Sequence, residues 1–207
     1  MEIAILAGGL AKRIGGVYKP LVNLCGKPLL QIIIERLENV ADRIVIVVHT
    51  GDQERLVSSL LHGYMKEVRI VRDVFDVFSP LVGLYTAATY VSSSSYIIIP
   101  ADAPFIKAET LQAIFELLDD SIDAVIPKWP NGYIEPLVAV YRKNAILNAL
   151  KDKGFYNKPV SWLLELLNTK YVDVNKISVN PPIEFFNLNT YEDLAKAERI
   201  CREVNLI

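Results

Sequence analysis

Apolar positions along the chain fall into short β-branched runs that alternate with stretches of helical spacing. Ile3 to Leu6 reads as a buried first strand. Pro28 to Val40 then places Leu30, Ile33, Ile34 and Leu37 on one helical face, with Pro28 tolerated near the start, where an N–H has no partner to lose. Arg43 to Val48 is β-branched throughout, as a strand covered on both faces should be. Asp52 is the expected cap of the next helix, with Leu56 and Leu60 on its inner side. Val68 to Val71 is a short strand. Leu81, Leu84, Tyr85 and Ala88 define a helix, and Tyr96 to Ile99 a further strand. Leu111, Ile114, Phe115 and Leu118 follow at helical spacing, and Ile122 to Pro127 is extended again.

Such repeated strand–helix units demand a mostly parallel sheet with helices on both faces. The last third has a different texture. Leu137 to Tyr141 reads as a strand, Asn144 to Leu150 as a short helix and Val160 to Leu167 as another. Tyr171 to Val174 and Ile177-Ser178-Val179 alternate as edge strands would. Thr190 caps a final helix, with Asp193 in the reciprocal position of a capping box. The fold class that follows is α/β, a Rossmann-like three-layer α/β/α sandwich. Its central sheet is mostly parallel, with strands of mixed direction in the C-terminal third.

Composition narrows the classes of function. With 207 residues, 52% of them hydrophobic, the chain suits one domain spanning residues 1–207 with a sizeable core. Twenty-two basic residues against 24 acidic ones give a net charge of −2, with no long run of either sign. That argues against a nucleic-acid groove or an anionic membrane surface as partner. No apolar stretch reaches the length of a membrane span, and Glu2 stands where a leader peptide would carry basic residues, so a cytoplasmic location is expected. Cys25 and Cys201 are far apart in sequence and form no C-x-x-C, so two free buried thiols are expected rather than a disulfide or metal site.

Candidate chemistry concentrates in the connection after the first strand, from Leu6 to Pro20. Gly8 and Gly9, then Gly15 and Gly16, remove Cβ atoms so that backbone N–H groups can close on an anion. Arg13 offers a planar fork for phosphate oxygens and Lys19 a compact positive charge. A polyanion across this loop is the natural inference; the alternative is a glycine-rich turn with solvated Arg13 and Lys19. The spacing is neither that of a Walker loop nor that of a dinucleotide fingerprint. Asp102, within Pro100 to Phe105, follows directly on a buried strand, where ligands of open parallel sheets sit. It reads as a Mg²⁺ ligand, since Mg²⁺ takes one or two carboxylates plus substrate phosphates; the alternative is a helix N-cap. Asp73 would reach the same edge, or remain a solvated turn residue. Asn187 and Asn189 could be turn formers before Thr190.

The stretch L-A-G-G-x-x-x-R-x-G-x-x-x-K-P, present as Leu6 to Pro20, resembles the signature of nucleotidyltransferases that activate a phosphorylated or sugar-like substrate with a nucleoside triphosphate. Within that superfamily the chain looks most like the molybdenum cofactor guanylyltransferases. Pro100-Ala-Asp-Ala-Pro-Phe105 looks like their P-x-D-x-P-F, Pro136 to Tyr141 like P-L-x-A-x-Y, and Asn187 to Leu194 like N-x-N-T-x-E-D-L. Ser79 to Gly83 resembles G-P-L-x-G with Ser79 in place of the first glycine, and His49 stands near where the family has Asn. The resemblance implies transfer of GMP from GTP to molybdopterin with Mg²⁺ as cofactor. It implies nucleotide contacts from Leu6, Ala7, Gly8, Gly9, Arg13, Gly16, Lys19, Asp73 and Asp102. Of these, Arg13, Lys19 and Asp102 would be catalytic and Asp102 would hold the metal. Asn187 and Asn189 would lie near the pterin acceptor. Transient contact with other cofactor-biosynthesis proteins is implied as well. Adenosylcobinamide-phosphate guanylyltransferases share the loop and a Leu-Cys-Gly stretch like Leu24 to Gly26, which leaves a different phosphorylated acceptor open. A non-catalytic nucleotide-binding subunit is a further alternative.

Overall fold

The computed structural model describes residues 1–9, 18–61, 67–152 and 154–203. Strand β1 (Glu2–Leu6) is followed by a two-strand hairpin, β2 (Asn23–Leu24) and β3 (Lys27–Pro28), and then by α1 (Leu29–Leu37). Three strand–helix pairs come next: β4 (Arg43–Val48) with α2 (Gly51–Leu60), β5 (Val68–Arg72) with α3 (Pro80–Tyr90), and β6 (Ser95–Pro100) with α4 (Ala108–Glu116). The remainder comprises β7 (Ala124–Lys128), β8 (Ala139–Arg142), α5 (Lys143–Ala149), α6 (Val160–Glu165), β9 (Thr169–Asp173), α7 (Val174–Ile177), α8 (Pro181–Glu184) and α9 (Tyr191–Glu203).

Seven strands form one sheet in the order β5-β4-β1-β6-β8-β7-β9. The chain steps outward from β1 through β4 to β5, then returns to place β6 on the other flank of β1. The topological switch therefore lies between β1 and β6. Every neighbouring pair is parallel except the two made by β8, which runs against both β6 and β7. The mixed direction expected for the C-terminal third thus comes down to one reversed strand.

Period-two alternation sorts the buried strand residues onto two faces. Ile3, Ile5, Ile44, Ile46, Ile97 and Ile99 meet α1 and α4 on one side. Ala4, Val45, Val47, Tyr96, Ile98 and Tyr141 meet α3, α5 and α6 on the other. Both faces are covered, which is why these strands are apolar throughout. A smaller third cluster joins Leu24, Leu29, Phe105, Leu188, Ile200 and Cys201, seating α9 beside the β2–β3 hairpin.

Three local expectations change. The N-cap of α2 is Thr50, not Asp52: Thr50 Oγ1 accepts from Gln53 N at 3.2 Å and the Gln53 side chain returns to the Thr50 N–H. Once Thr50 sets the helix start, the inner face of α2 is Gln53, Val57 and Leu61 with partly buried Leu60, and Leu56 turns outward at 44% exposure. Ile177-Ser178-Val179 is not a strand. Asp173 accepts from Asn175 N at 2.9 Å and caps a one-turn helix directly after β9, leaving Val179 fully in solvent. The Thr190–Asp193 capping box is present, with hydrogen bonds of 3.1 and 2.8 Å. Replacing a reciprocal cap by alanine costs about 1 kcal/mol. Thr50→Ala is therefore expected to lower Tm by about 2–4 °C, whereas Asp52→Ala leaves it within about 1 °C, as thermal unfolding by circular dichroism will read.

Candidate active site

Parallel pairing brings the carboxyl ends of β4, β1 and β6 to one edge. There the chain leaves each strand while still tied to its neighbour: Ala7 N donates to Val47 O at 2.7 Å, and Ala101 N to Leu6 O at 3.0 Å. Around these ends opens a cleft of about 350 Å³. Leu6, Ala7, Gly8 and Gly9 form its floor, Lys19, Asp102 and Leu137 line one part, and Asp73, Phe78 and Ser79 line another. The glycine segment and the carboxylate that follows β6 thus share one cavity.

The tightest polar cluster is built on Lys19. Its Nζ donates to Asp102 Oδ2 at 2.6 Å and to Asn189 Oδ1 at 2.8 Å, with the lysine and aspartate side chains 17% and 20% exposed. Each partner is anchored by the backbone beside it. Tyr18 OH donates to Ala7 O at 2.7 Å, holding the segment before Lys19 against the end of β1. Leu188 N donates to Asp102 O at 2.8 Å, which draws the chain carrying Asn189 up to the aspartate. Asp102 does not cap α4, whose N-cap is Lys107. An aspartate free of capping duty, facing a half-buried ammonium in a cleft, is available to a ligand.

At the other end Asp73 is held from two sides. His49 Nδ1 lies 3.0 Å from Asp73 Oδ2, and Thr86 Oγ1 donates to Asp73 Oδ1 at 3.2 Å. The other ring nitrogen, Nε2, lies 3.4 Å from Asp76 Oδ1, so the imidazole stands between two carboxylates. Burial pushes the Asp73 carboxyl above its ordinary range, and the two donors pull it back only in part. Phe78, half exposed, covers the imidazole with ring centroids 3.6 Å apart. Gln53 completes the arrangement: its Oε1 accepts from His49 N at 2.7 Å, and its Nε2 reaches Gly8 O at 3.5 Å. Gly8 is a glycine for lack of room. A Cβ there would stand 3.3 Å from both His49 Cβ and His49 N.

Of the residues singled out from sequence, Leu6, Ala7, Gly8, Gly9, Lys19, Asp73 and Asp102 line the cleft, and Asn189 bonds to Lys19. Arg13 and Gly16 lie outside the described residues. Asn187 is turned away: its Nδ2 donates to Phe185 O at 3.4 Å, and its buried Oδ1 has no partner among the described residues. Sequence reasoning missed the linkage of His49 to Asp73 and the tether made by Tyr18. The one available signal was the place of Gln53 at the third position of a capping box. Ser79, which stands where the family motif has glycine, keeps a buried hydroxyl with no partner among the described residues.

Among the described residues no group of three or more His, Cys, Asp or Glu could hold a metal by itself. The donor set nevertheless fits Mg²⁺, which needs only one or two protein carboxylates when substrate phosphates supply the other oxygens. Asp102 is the carboxylate placed for this. Asp73 has one partner on each oxygen, His49 and Thr86, and keeps a second acceptor site on each.

Residues 3–164 match the family described as MobA-like NTP transferase domain. A probable molybdenum cofactor guanylyltransferase of Thermococcus gammatolerans is 34% identical over 200 residues, 95% of this chain and 98% of its own length. Another protein of that name, from Pyrococcus horikoshii, is 34% identical over 92% of this chain and 95% of its own. The crystal structure of molybdopterin-guanine dinucleotide biosynthesis protein A from Archaeoglobus fulgidus superposes with a TM-score of 0.82 at 31% identity, covering 98% of this chain and all of that one. The inositol-1-phosphate CTP transferase of T. maritima shares the fold, with a TM-score of 0.73 at 17% identity over 99% of this chain and 96% of its own. With the cleft, the glycine segment and this family match in hand, the chain belongs to the MobA-like NTP transferase family and is a nucleotidyltransferase.

Proposed function

We propose that the protein transfers GMP from GTP to the terminal phosphate of molybdopterin with release of pyrophosphate, in a Mg²⁺-dependent reaction. What carries the proposal is the meeting of Lys19, Asp102 and Asn189 beside the glycine segment at the β1–β6 switch point. The curated relatives named as guanylyltransferases of molybdenum cofactor support the choice of base and acceptor.

The chemistry assigns each group a task. The triphosphate lies over the backbone of Leu6 to Gly9, with Arg13 and Gly16 joining the same loop. Lys19 neutralises charge that grows on the oxygen bridging the α- and β-phosphates. Asp102 would hold Mg²⁺ together with phosphate oxygens, and the ion would supply charge neutralisation and alignment there. Asn189 orients the Lys19 ammonium and faces the acceptor, with Asn187 behind it in the same turn. Asp73 accepts from the nucleoside at the far end. The attacking phosphate is already anionic, so positioning and charge neutralisation suffice and no strong base is needed. The reaction fits one domain spanning residues 1–207, acting in the cytoplasm on two small substrates and in passing contact with other enzymes of the same cofactor. Among the described residues no helix is long and apolar enough to cross a membrane.

The decisive assay offers GTP, CTP and ATP with molybdopterin and with adenosylcobinamide phosphate and follows pyrophosphate. Release with GTP and molybdopterin is expected, dependent on added Mg²⁺; release with no pair would mark a nucleotide-binding subunit instead. Lys19→Ala and Asp102→Ala should each lower turnover by about 10²–10³-fold with circular dichroism unchanged. Full activity in either would sink the assigned roles.

The Asp73 end makes a separate prediction. Its folded-state carboxyl sits above the ordinary 3.8, so its ionisation opposes folding. That contribution to stability is lost as pH rises from 3.8 through the raised value. His49→Ala removes a donor to the charged form and raises the carboxyl further. The variant should lose about 1–3 kcal/mol near pH 7 and clearly less near pH 4, as urea titrations at the two pH values will read.

A further inference from the structure

We propose that Cys25 and Cys201 form a modification site, a thiol pair that closes into an intramolecular disulfide joining the β2–β3 hairpin to α9. The two are the cysteines of the chain, both present as free thiols, and no part of the cleft uses them. Although 176 positions separate them (201 − 25), the fold puts them together. Cys25 Sγ lies 3.7 Å from Glu198 O, one turn before Cys201 on α9. Helical side chains lean back over the preceding turn, and for Cys201 that is the turn carrying Glu198. Cys25 packs, partly buried, against the cluster that buries Cys201.

The backbone at Cys25 points the same way. Residues 25 and 26 turn the hairpin with φ of +51° and +91°, the geometry of a two-residue turn with both central residues left-handed. Glycine takes such a conformation freely, and asparagine or aspartate is the next best choice. Gly26 fits its place. Cys25 does not, and it is the one non-glycine residue with positive φ among those described. A strained position thus carries a sulfur packed against the cluster that holds the second one, where strain at a special backbone position is a marker of use.

Accessibility sets the order of events with a disulfide oxidant such as glutathione disulfide. Cys25 is partly exposed and Cys201 is buried at 2%. The Cys25 thiolate attacks one glutathione sulfur, forming a mixed disulfide and releasing one glutathione thiolate. The Cys201 thiolate then attacks the Cys25 sulfur, the mixed disulfide breaks, and the second glutathione leaves. The two cysteines lose two electrons and two protons, and one glutathione disulfide becomes two glutathione thiols. Burial and the neighbouring Cys25 push the Cys201 thiol up to about 12, so the second step quickens as pH rises. The bond would tie together the segment that follows Lys19 and the helix that follows Asn189, yet its formation requires no nucleotide and no turnover.

The native protein is incubated with reduced or oxidised glutathione, quenched in acid, and mapped by peptide mass spectrometry without reduction. The expected result is a linked Cys25–Cys201 peptide, an intact mass lower by two hydrogens, and a Tm higher by on the order of 10 °C, as closure of so long a loop implies. Cys25→Ser should stay reduced, and Cys201→Ser should stop at a glutathione adduct on Cys25. A native protein that also stops at the Cys25 adduct, links its cysteines only after denaturation, or forms the bond with no rise in Tm overturns the proposal.

Discussion

A half-buried ammonium must find acceptors, and this requirement at Lys19 shapes the site. Its two partners come from positions 83 and 170 residues further along the chain. No local preference could bring them together, and each arrives by a different route. Asp102 is delivered by the parallel register of β6 on β1, which sets the end of one strand beside the end of the other. Asn189 is delivered by the backbone bond from Leu188 to Asp102, supported by burial of Leu188 under α9. Taking away either acceptor would leave a charge in poor solvent, a cost that buried polar groups do not bear without compensation. The cluster is therefore a structural tie as well as a place where phosphate charge can be met.

The parallel core was legible because its strands are covered on both faces and so are apolar from end to end. Ile3 to Ile5, Ile44 to Val48 and Ile97 to Ile99 could be no other element in a chain of this composition. The glycine segment, Lys19 and Asp102 were legible too, because residues that follow buried strands collect at one edge of such a sheet. Less visible were features decided by contacts across the chain. Asp52 and Thr50 are both acceptable caps, and only the reciprocal bond with Gln53 chooses between them. Ile177 alternates as an edge strand would, yet the Asp173 side chain starts a helix there first. His49 alone in the sequence had no stated partner; its role emerges only when Asp73 and Phe78 close on it. Cys25 and Cys201 likewise become neighbours only through the packing of α9 on the hairpin.

Electrostatically the cleft has two unlike ends. The Lys19 end is a cation met by acceptors and suits phosphate. The Asp73 end is a carboxylate met by donors, roofed in part by an aromatic ring, and suits a group rich in N–H or O–H. Between them the floor is the chain from Leu6 to Gly9.

The reversal of β8 leaves a trace at this edge. Its register sets Ala139 opposite Ile98, so what reaches the rim is the stretch leading into the strand, and Leu137 becomes part of the wall. For every other strand bordering the cleft, the rim is made by what comes after. Lengthening the approach to β8 would therefore reshape the chamber without touching the glycine segment or Asp102. A shared floor can in this way be fitted with different side walls, a route by which one scaffold could come to hold ligands of different size.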